Sequence, residues 1–383
     1  MAITPEAWRK RLHDLEQKNL RRSLAVPTGI DFFSNDYLGL ARSPELAKQI
    51  ELAIQAFGQP SHGATGSRLL SGHSALADEV EAYLAKWLGA ESTLFFGSGY
   101  GANLAVLSSL PQKGDTILYD QYAHACLKDG ARLSPAQRFS FRHNDLDDLS
   151  RKAQRATGIL YVVVESVYSM DGDQAPLAEL VAWAEAHDAV LMVDEAHSTG
   201  IYGQAGAGLA VELGLADRIA IRVHTFGKAM GTHGAVVAGS ETLRSLLLST
   251  ARPFIYTTAP PPHQLLAIRE AVKYLQKQPQ LAEELQATIQ HFRTEVSRLK
   301  LPPSIHLLDS QSPIQGLVTP GAEAARDAAR ALQAAGFAVR PILSPTVPTG
   351  TERVRICLHR YNTPQEVSDL VHTFARLWAN ATL

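Results

Sequence analysis

The chain has 383 residues, 45% of them hydrophobic, with 36 basic against 38 acidic side chains. That length exceeds one simple core and suits a large domain with a smaller companion. The even charge excludes a basic nucleic-acid tail and a polybasic membrane patch.

The opening residues, Met1 to Glu6, lack a basic region ahead of an apolar run, and no stretch approaches the roughly 20 apolar residues of a membrane span. A cytoplasmic protein is therefore expected, with neither nucleic acid nor membrane as partner. Cys126 and Cys357 form no metal or redox motif and read as packed thiols in a reducing compartment.

The first predicted element is a charged helix from Trp8 to Arg22, with Trp8, Leu12, Leu15 and Leu20 on its apolar side. Its terminal Arg21-Arg22 has a plain reading as a solvated helix end that suits the macrodipole. Asp31 to Leu40 follows as a short strand running into an aromatic, amide-rich turn around Asn35. Gly58 to Gly72 is a small-residue loop, and Ser74 then caps a helix whose apolar positions, Leu76, Val80, Tyr83, Leu84, Trp87 and Leu88, keep the 3.6-residue period before Gly89.

Thr93 to Phe96 reads as a short buried strand, followed by Gly97-Ser98-Gly99-Tyr100-Gly101 and an apolar helix from about Ala102 to Leu110. A strand, a glycine turn and a helix start can hold an anion, because free N–H groups and the helix dipole point at the turn. The same pattern also makes an ordinary turn. Strands are then expected at Thr116 to Tyr119, Gly158 to Glu165, Ala189 to Val193 and Ile219 to Val223, with helical segments between them. Apolar strands separated by helices imply a parallel sheet covered on both faces, whose ligands sit at the carboxyl ends of the strands. Glu165, Asp194 and Lys228 fall at those ends. Three prolines at 260–262 exclude a central strand or helix there. Beyond them come a long helix from His263 to Leu299 with a break near Gln278-Pro279, an alanine-rich helix from Ala322 to Gly336 and a strand from Arg353 to Leu358. The expected organisation is an N-terminal arm over 1–40, a large cofactor-binding domain over 41–280 and a small α+β domain over 281–383.

Taken singly, the polar residues have structural explanations. His197 can pack in a core, His124 can cap a helix, and Arg353 with Arg355 can be solvated on an edge strand. Their joint occurrence points elsewhere. Lys228 stands between Gly227 and Ala229 at a strand end and can form a Schiff base; Asp194 ends a second strand. A lysine amine together with an aspartate for a pyridinium nitrogen is the protein side of pyridoxal phosphate (PLP) chemistry, with the glycine turn as its phosphate cradle. The glycines at 203, 206 and 208 lack dinucleotide-binding order, no P-loop or nucleophile-elbow motif occurs, and the histidines show no metal-ligand spacing.

Four stretches carry a family resemblance: residues 35–40, Glu165 to Asp173, Val193 to Gly200, and Thr225-Phe226-Gly227-Lys228. Over nearly its whole length the chain resembles the α-oxoamine synthases of fold-type I PLP enzymes. The resemblance implies the aspartate aminotransferase-like fold of the PLP-dependent transferases: an α/β large domain with a mostly parallel seven-stranded sheet covered by helices, plus a small C-terminal α+β domain. It also implies that Lys228 holds PLP and moves protons, Asp194 partners the ring nitrogen, His124 stacks on the ring, and His197, with Ser169 nearby, reaches the ring hydroxyl. Ser98, Gly99, Tyr100 and Thr225 would hold the phosphate, with Thr257 and Thr258 contributed to the partner subunit of a homodimer. Glu165 joins the cofactor set, Arg355 grips the amino-acid carboxylate, and Asn35, Arg21 and Thr346 fall on the substrate side. The activity implied is decarboxylative condensation of L-alanine with pimeloyl-CoA or pimeloyl-acyl carrier protein. A sister activity using glycine with acetyl-CoA or succinyl-CoA would share every cofactor residue.

Overall fold

The structure is a computed structural model that describes residues 5–18, 21–24, 26–58 and 62–379. Leu20 of the expected first helix, residues 1–4, and residues 59–61 of the Gly58 to Gly72 loop lie outside them.

Seven strands form the central sheet: β1 (Ser92–Phe96), β2 (Thr116–Asp120), β3 (Gln137–Phe141), β4 (Leu160–Glu165), β5 (Val190–Asp194), β6 (Ile221–Thr225) and β7 (Ala235–Gly239). Their order is β1-β7-β6-β5-β4-β2-β3. Only β7 is antiparallel to its neighbours in this sheet. In β4 the alternation of side chains explains why its sequence is apolar throughout. Tyr161 and Val163 join one core cluster, while Val162 and Val164 join the cluster on the opposite face.

Two of these strands, β3 and β7, were not among those expected at definite positions. β3 lies at the edge of the sheet, and its first three residues are exposed, so it has no apolar run to betray it. β7 follows the lysine turn at once and returns as a hairpin partner of β6 without an intervening helix.

Helix Glu6–Gln17 is shorter than expected and has no buried residue; Trp8 is 67% exposed. The break near Pro279 is where expected, between helices Pro262–Lys277 and Gln280–Ser297. We propose that the smaller unit begins at this break. It contains an antiparallel sheet of β8 (His306–Leu307), β9 (Ile314–Val318), β10 (Arg340–Ile342) and β11 (Arg353–Cys357), in the order β10-β11-β9-β8. Because β11 is paired on both sides, Arg353 and Arg355 are buried, which overturns the reading of a solvated edge.

The segment around Ile30 to Leu40 lies in the seam between the units. Ile30–Asp31 pairs with Phe337–Ala338, and the Phe32 carbonyl accepts the Cys357 N–H at 2.8 Å. Its far end packs against the lysine turn, where a side chain at Gly231 would strike Ala41. No helix among the described residues is long and apolar enough to cross a membrane.

Candidate active site

Strand register places the chemistry. Glu165 and Asp194 are direct partners at the carboxyl ends of β4 and β5, and β6 ends beside them at Thr225, three residues before Lys228. The turn after β6 is tied back on itself by Phe226 N–H to Gly234 O at 2.9 Å and Thr232 N–H to Phe226 O at 2.8 Å. Lys228 is thus held on a short, closed turn.

A cavity of about 270 Å³ opens in front of it, lined among others by Ser98, His124, Asp194, His197, Thr225 and Lys228. Asn35, Gly99, Tyr100 and Glu165 also reach it. Ten of the sequence-predicted site residues therefore share one space.

The amine is wired to the substrate side. Lys228 Nζ lies 2.8 Å from His197 Nε2, and His197 Nδ1 lies 2.9 Å from the Tyr37 hydroxyl. Tyr37 donates to Asn35 Oδ1 at 3.0 Å, which also accepts from Arg355 Nη2 at 3.2 Å. Since the Tyr37 proton goes to Asn35, the consistent tautomer of His197 carries its hydrogen on Nδ1 and turns a lone pair toward the amine. Burial, and then the nearby Lys228, push the His197 imidazole well below its usual range, so it stays neutral. Burial also lowers the Lys228 amine, against the pull of Asp194 and Glu165. Lowering it favours the uncharged amine, the nucleophilic form.

Both oxygens of Asp194 are occupied on the protein side. Oδ1 accepts the Ala196 N–H at 2.8 Å and Oδ2 accepts the side-chain amide of Asn103 at 2.6 Å. Glu165 is fully enclosed and pushed up to about 8 by burial and by Asp194, while Oε1 accepts the His124 N–H at 2.6 Å. His124 caps helix Ala125–Leu133 through its ring and so combines the capping role with a place in the cavity wall.

The opposite end of the cavity is built for an anion. Ser98 caps helix Gly99–Ser109 by accepting the Gly101 N–H at 3.1 Å, and a Cβ on Gly99 would come within 2.4 Å of Thr225 Cγ2. Glycine is required there. Thr225 Oγ1 is buried with no hydrogen-bond partner among the described residues, an orphan at a helix N-terminus that a phosphate oxygen would satisfy. With an amine, a carboxylate and this cradle around one space, the residues present fit PLP.

A second cavity of about 340 Å³ shares His124 with the first and is lined by Ser169, Met170, Lys128 and Thr346 among others. Arg355 donates from Nε to the Ser169 carbonyl at 2.8 Å and from Nη1 to Cys357 Sγ at 2.9 Å. Thr257 and Thr258 are exposed and lie away from Lys228, at another hollow with Arg68 and Phe254. Arg21 is exposed beyond the end of helix Glu6–Gln17, paired with Glu16, and lines neither cavity.

Sequence reasoning passed over Asn103, Tyr37 and Cys126 as site residues. Asn103 had a visible signal, as the one amide in the middle of an otherwise apolar helix, buried to 1% exposure. Tyr37 sat within a stretch already singled out. Cys126 is buried as expected but also lines the cavity beside His124.

Residues 27–374 match the family described as aminotransferase class I and II. The chain is 42% identical over 346 residues to a protein of Alkalilimnicola ehrlichii named 8-amino-7-oxononanoate synthase, covering 90% of this chain and 87% of that one. A crystal structure of 8-amino-7-oxononanoate synthase from Francisella tularensis superposes with a TM-score of 0.75 at 30% identity, over 91% of this chain and 97% of the other. Serine palmitoyltransferase from S. paucimobilis, solved with a bound PLP–myriocin aldimine, gives a TM-score of 0.85 at 28% identity, over 97% and 96%.

Proposed function

Because the chain belongs to the aminotransferase class I and II family, with 8-amino-7-oxononanoate synthases among its relatives, we propose how its residues carry out that synthesis. The protein is a PLP-dependent acyltransferase that joins L-alanine to a pimeloyl thioester and releases 8-amino-7-oxononanoate, CO₂ and a free thiol, a step toward biotin. Alanine's Cα exchanges its bond to the carboxylate carbon for one to the acyl carbon, and the thioester C–S bond breaks.

When bound through Lys228, PLP supplies an aldehyde that takes up the amino acid and a ring that withdraws electrons from Cα. Everything else is positioning and proton movement by the chain. Arg355, already oriented by Asn35 and the Ser169 carbonyl, grips the alanine carboxylate, a planar group that matches the guanidinium fork. Lys228 takes and returns the Cα proton, helped by a neutral His197 that can accept a hydrogen bond from the amine. Asp194 would partner the ring nitrogen of bound PLP and His197 its hydroxyl, and His124 would pack against it. Ser98, Gly99, Tyr100 and Thr225 would hold the phosphate, with Thr257 and Thr258 completing that grip from a second subunit. The thioester enters through the second cavity, past His124 and Thr346. This reading makes the enzyme a cytoplasmic homodimer, with the thiol carried by CoA or by acyl carrier protein.

The observation that carries the reading is the convergence of Lys228, Asp194 and the Arg355-linked network on one cavity that shares His124 as a wall with a second. The test is mass identification of the product from protein, PLP and alanine with pimeloyl-CoA or pimeloyl-acyl carrier protein. Parallel mixtures hold glycine with acetyl-CoA or succinyl-CoA. Preferential turnover of a glycine mixture would overturn the assignment.

A further inference from the structure

Besides residues 345–348, which line one side, the second cavity has two walls from different parts of the chain. One is the Gln121 to Ala125 turn that follows β2, and the other is the Tyr168 to Asp171 segment that follows β4. Behind both lies His143, which lines neither cavity.

Its ring bridges the walls' supports. Nδ1 lies 3.0 and 3.1 Å from the two oxygens of Asp120, and Nε2 lies 2.7 Å from Asp173 Oδ2. A carboxylate is an acceptor, so a ring flanked by two of them satisfies both only with a hydrogen on each nitrogen. The ring is sandwiched as well as bonded: it stacks on Tyr122 at 4.5 Å and meets Tyr168 edge-on at 4.4 Å. Asn144 repeats the bridge, giving its N–H to Asp120 at 2.9 Å and its side-chain amide to Asp173 at 2.9 Å.

Each carboxylate leads to a wall. Asp120 accepts the Tyr122 N–H at 2.7 Å, at the start of the turn that delivers His124. Asp173 closes the segment that carries Ser169 and Met170, which the smaller unit grips from the other side. Arg353 reaches Asp171 at 2.7 Å, and Ser310 donates to the Gly172 carbonyl at 2.8 Å. A side chain at Gly172 would strike the Ile314 carbonyl at 2.2 Å. The segment is therefore pinned between β9 and His143.

We propose that His143 is a positioning residue for the acyl thioester, fixing the spacing between the turn that carries His124 and the segment that carries Ser169 and Met170. It sets the width of the slot that receives the acyl chain, and it does so without touching the ligand. The inference rests on the reading that the thioester occupies the second cavity.

The test uses PLP-loaded protein, wild type and His143→Gln, whose amide can serve only one carboxylate with a donor. Calorimetric titration with pimeloyl-CoA is run beside titration with alanine, bound PLP is read by absorbance, and KM and kcat are measured for both substrates. His143→Gln is expected to weaken pimeloyl-CoA binding and raise its KM by about tenfold, leaving alanine affinity and PLP content within about twofold. Unchanged pimeloyl-CoA affinity overturns the proposal, as does an equal loss for alanine and PLP, which marks a merely structural role. Should His143→Gln fail to fold, Asp173→Asn is read by the same criteria. If wild type binds pimeloyl-CoA in a His143-dependent way yet makes no product from alanine, the reaction assignment falls and the positioning role stands. If wild type turns over normally and His143→Gln behaves like it, the positioning role alone falls. Absence of pimeloyl-CoA binding to wild type overturns both.

Discussion

Asn103 donates one amide hydrogen to Asp194 Oδ2 at 2.6 Å and the other to Cys126 Sγ at 3.2 Å, in the wall of the cavity that all three residues line. It fixes which way the Asp194 carboxylate faces. Asn103→Leu keeps the bulk and removes the donor, leaving a buried acceptor without its partner. Such a loss costs about 1–3 kcal/mol, so PLP affinity should fall by roughly 5- to 150-fold, with a changed absorbance spectrum for what remains bound. Fluorescence titration of PLP measures it; unaltered affinity would remove Asn103 from the site.

Lys228→Ala takes away both the covalent anchor and the proton carrier. The side chain projects into the cavity and belongs to no core cluster, so circular dichroism and melting temperature should match wild type. Product formation should fall by at least about 10²–10⁴-fold, the usual contribution of one proton-transfer group. Normal product yield from this variant would refute the whole assignment.

Arg355→Lys keeps the charge and loses the planar fork, together with the bond to Asn35. A charge-assisted hydrogen bond is worth about 1.5–3 kcal/mol, so the KM for alanine should rise by roughly 10- to 100-fold while the KM for the thioester changes little. Steady-state kinetics with each substrate varied in turn provide the comparison.

Thr257 and Thr258 line a hollow other than the one that holds their own Lys228, and we expect them to serve the partner's site. A Thr257→Ala, Thr258→Ala double variant should bind PLP weakly, and Lys228→Ala should be inactive. Mixed dimers of the two should regain activity, because one of their sites combines an intact lysine with intact threonines. Coexpression with two affinity tags isolates those dimers. No recovery would place the threonines outside the site.

The pair of carboxylates on His143 gives a pH signature. Burial opposes its charge, but the bonds with Asp120 and Asp173 prevail and raise it to about 10, against an ordinary value of about 6.5. A group whose folded value is raised stabilises fully below its unfolded value and loses that contribution as pH climbs to the folded one. Asp171 and Arg353 stand nearby, and Tyr122 and Tyr168 flank the ring. The melting-temperature gap between wild type and His143→Gln should be widest below pH 6.5 and should close between there and about pH 10. A gap that does not vary with pH would show that the ring is uncharged.

The fold and the site were legible to different depths. Leu160 to Val164 and Val190 to Val193 announce buried strands, and the acids and the lysine beyond strand ends announce a site, because a covered parallel sheet leaves only its strand ends for polar work. Gln137–Phe141 was silent, since an edge strand with exposed residues carries no apolar run. Arg355 misled for the opposite reason: alternate arginines look solvated until pairing on both sides buries them, and pairing is a long-range fact. Asn103 was missed because one amide within an apolar helix says nothing of which acid it will meet 91 residues later.

The hairpin that joins β6 to β7 has a mechanical meaning. Clamped by both strands and wedged by Gly231 against Leu40 and Ala41, the lysine's main chain is an anvil in the middle of the sheet. During a catalytic cycle its amine can travel only as far as four methylene torsions allow, so larger movements fall to the segments around it. Substitutions that lengthen this turn would shift the point from which every proton is delivered, and would be felt in rate long before they were felt in stability.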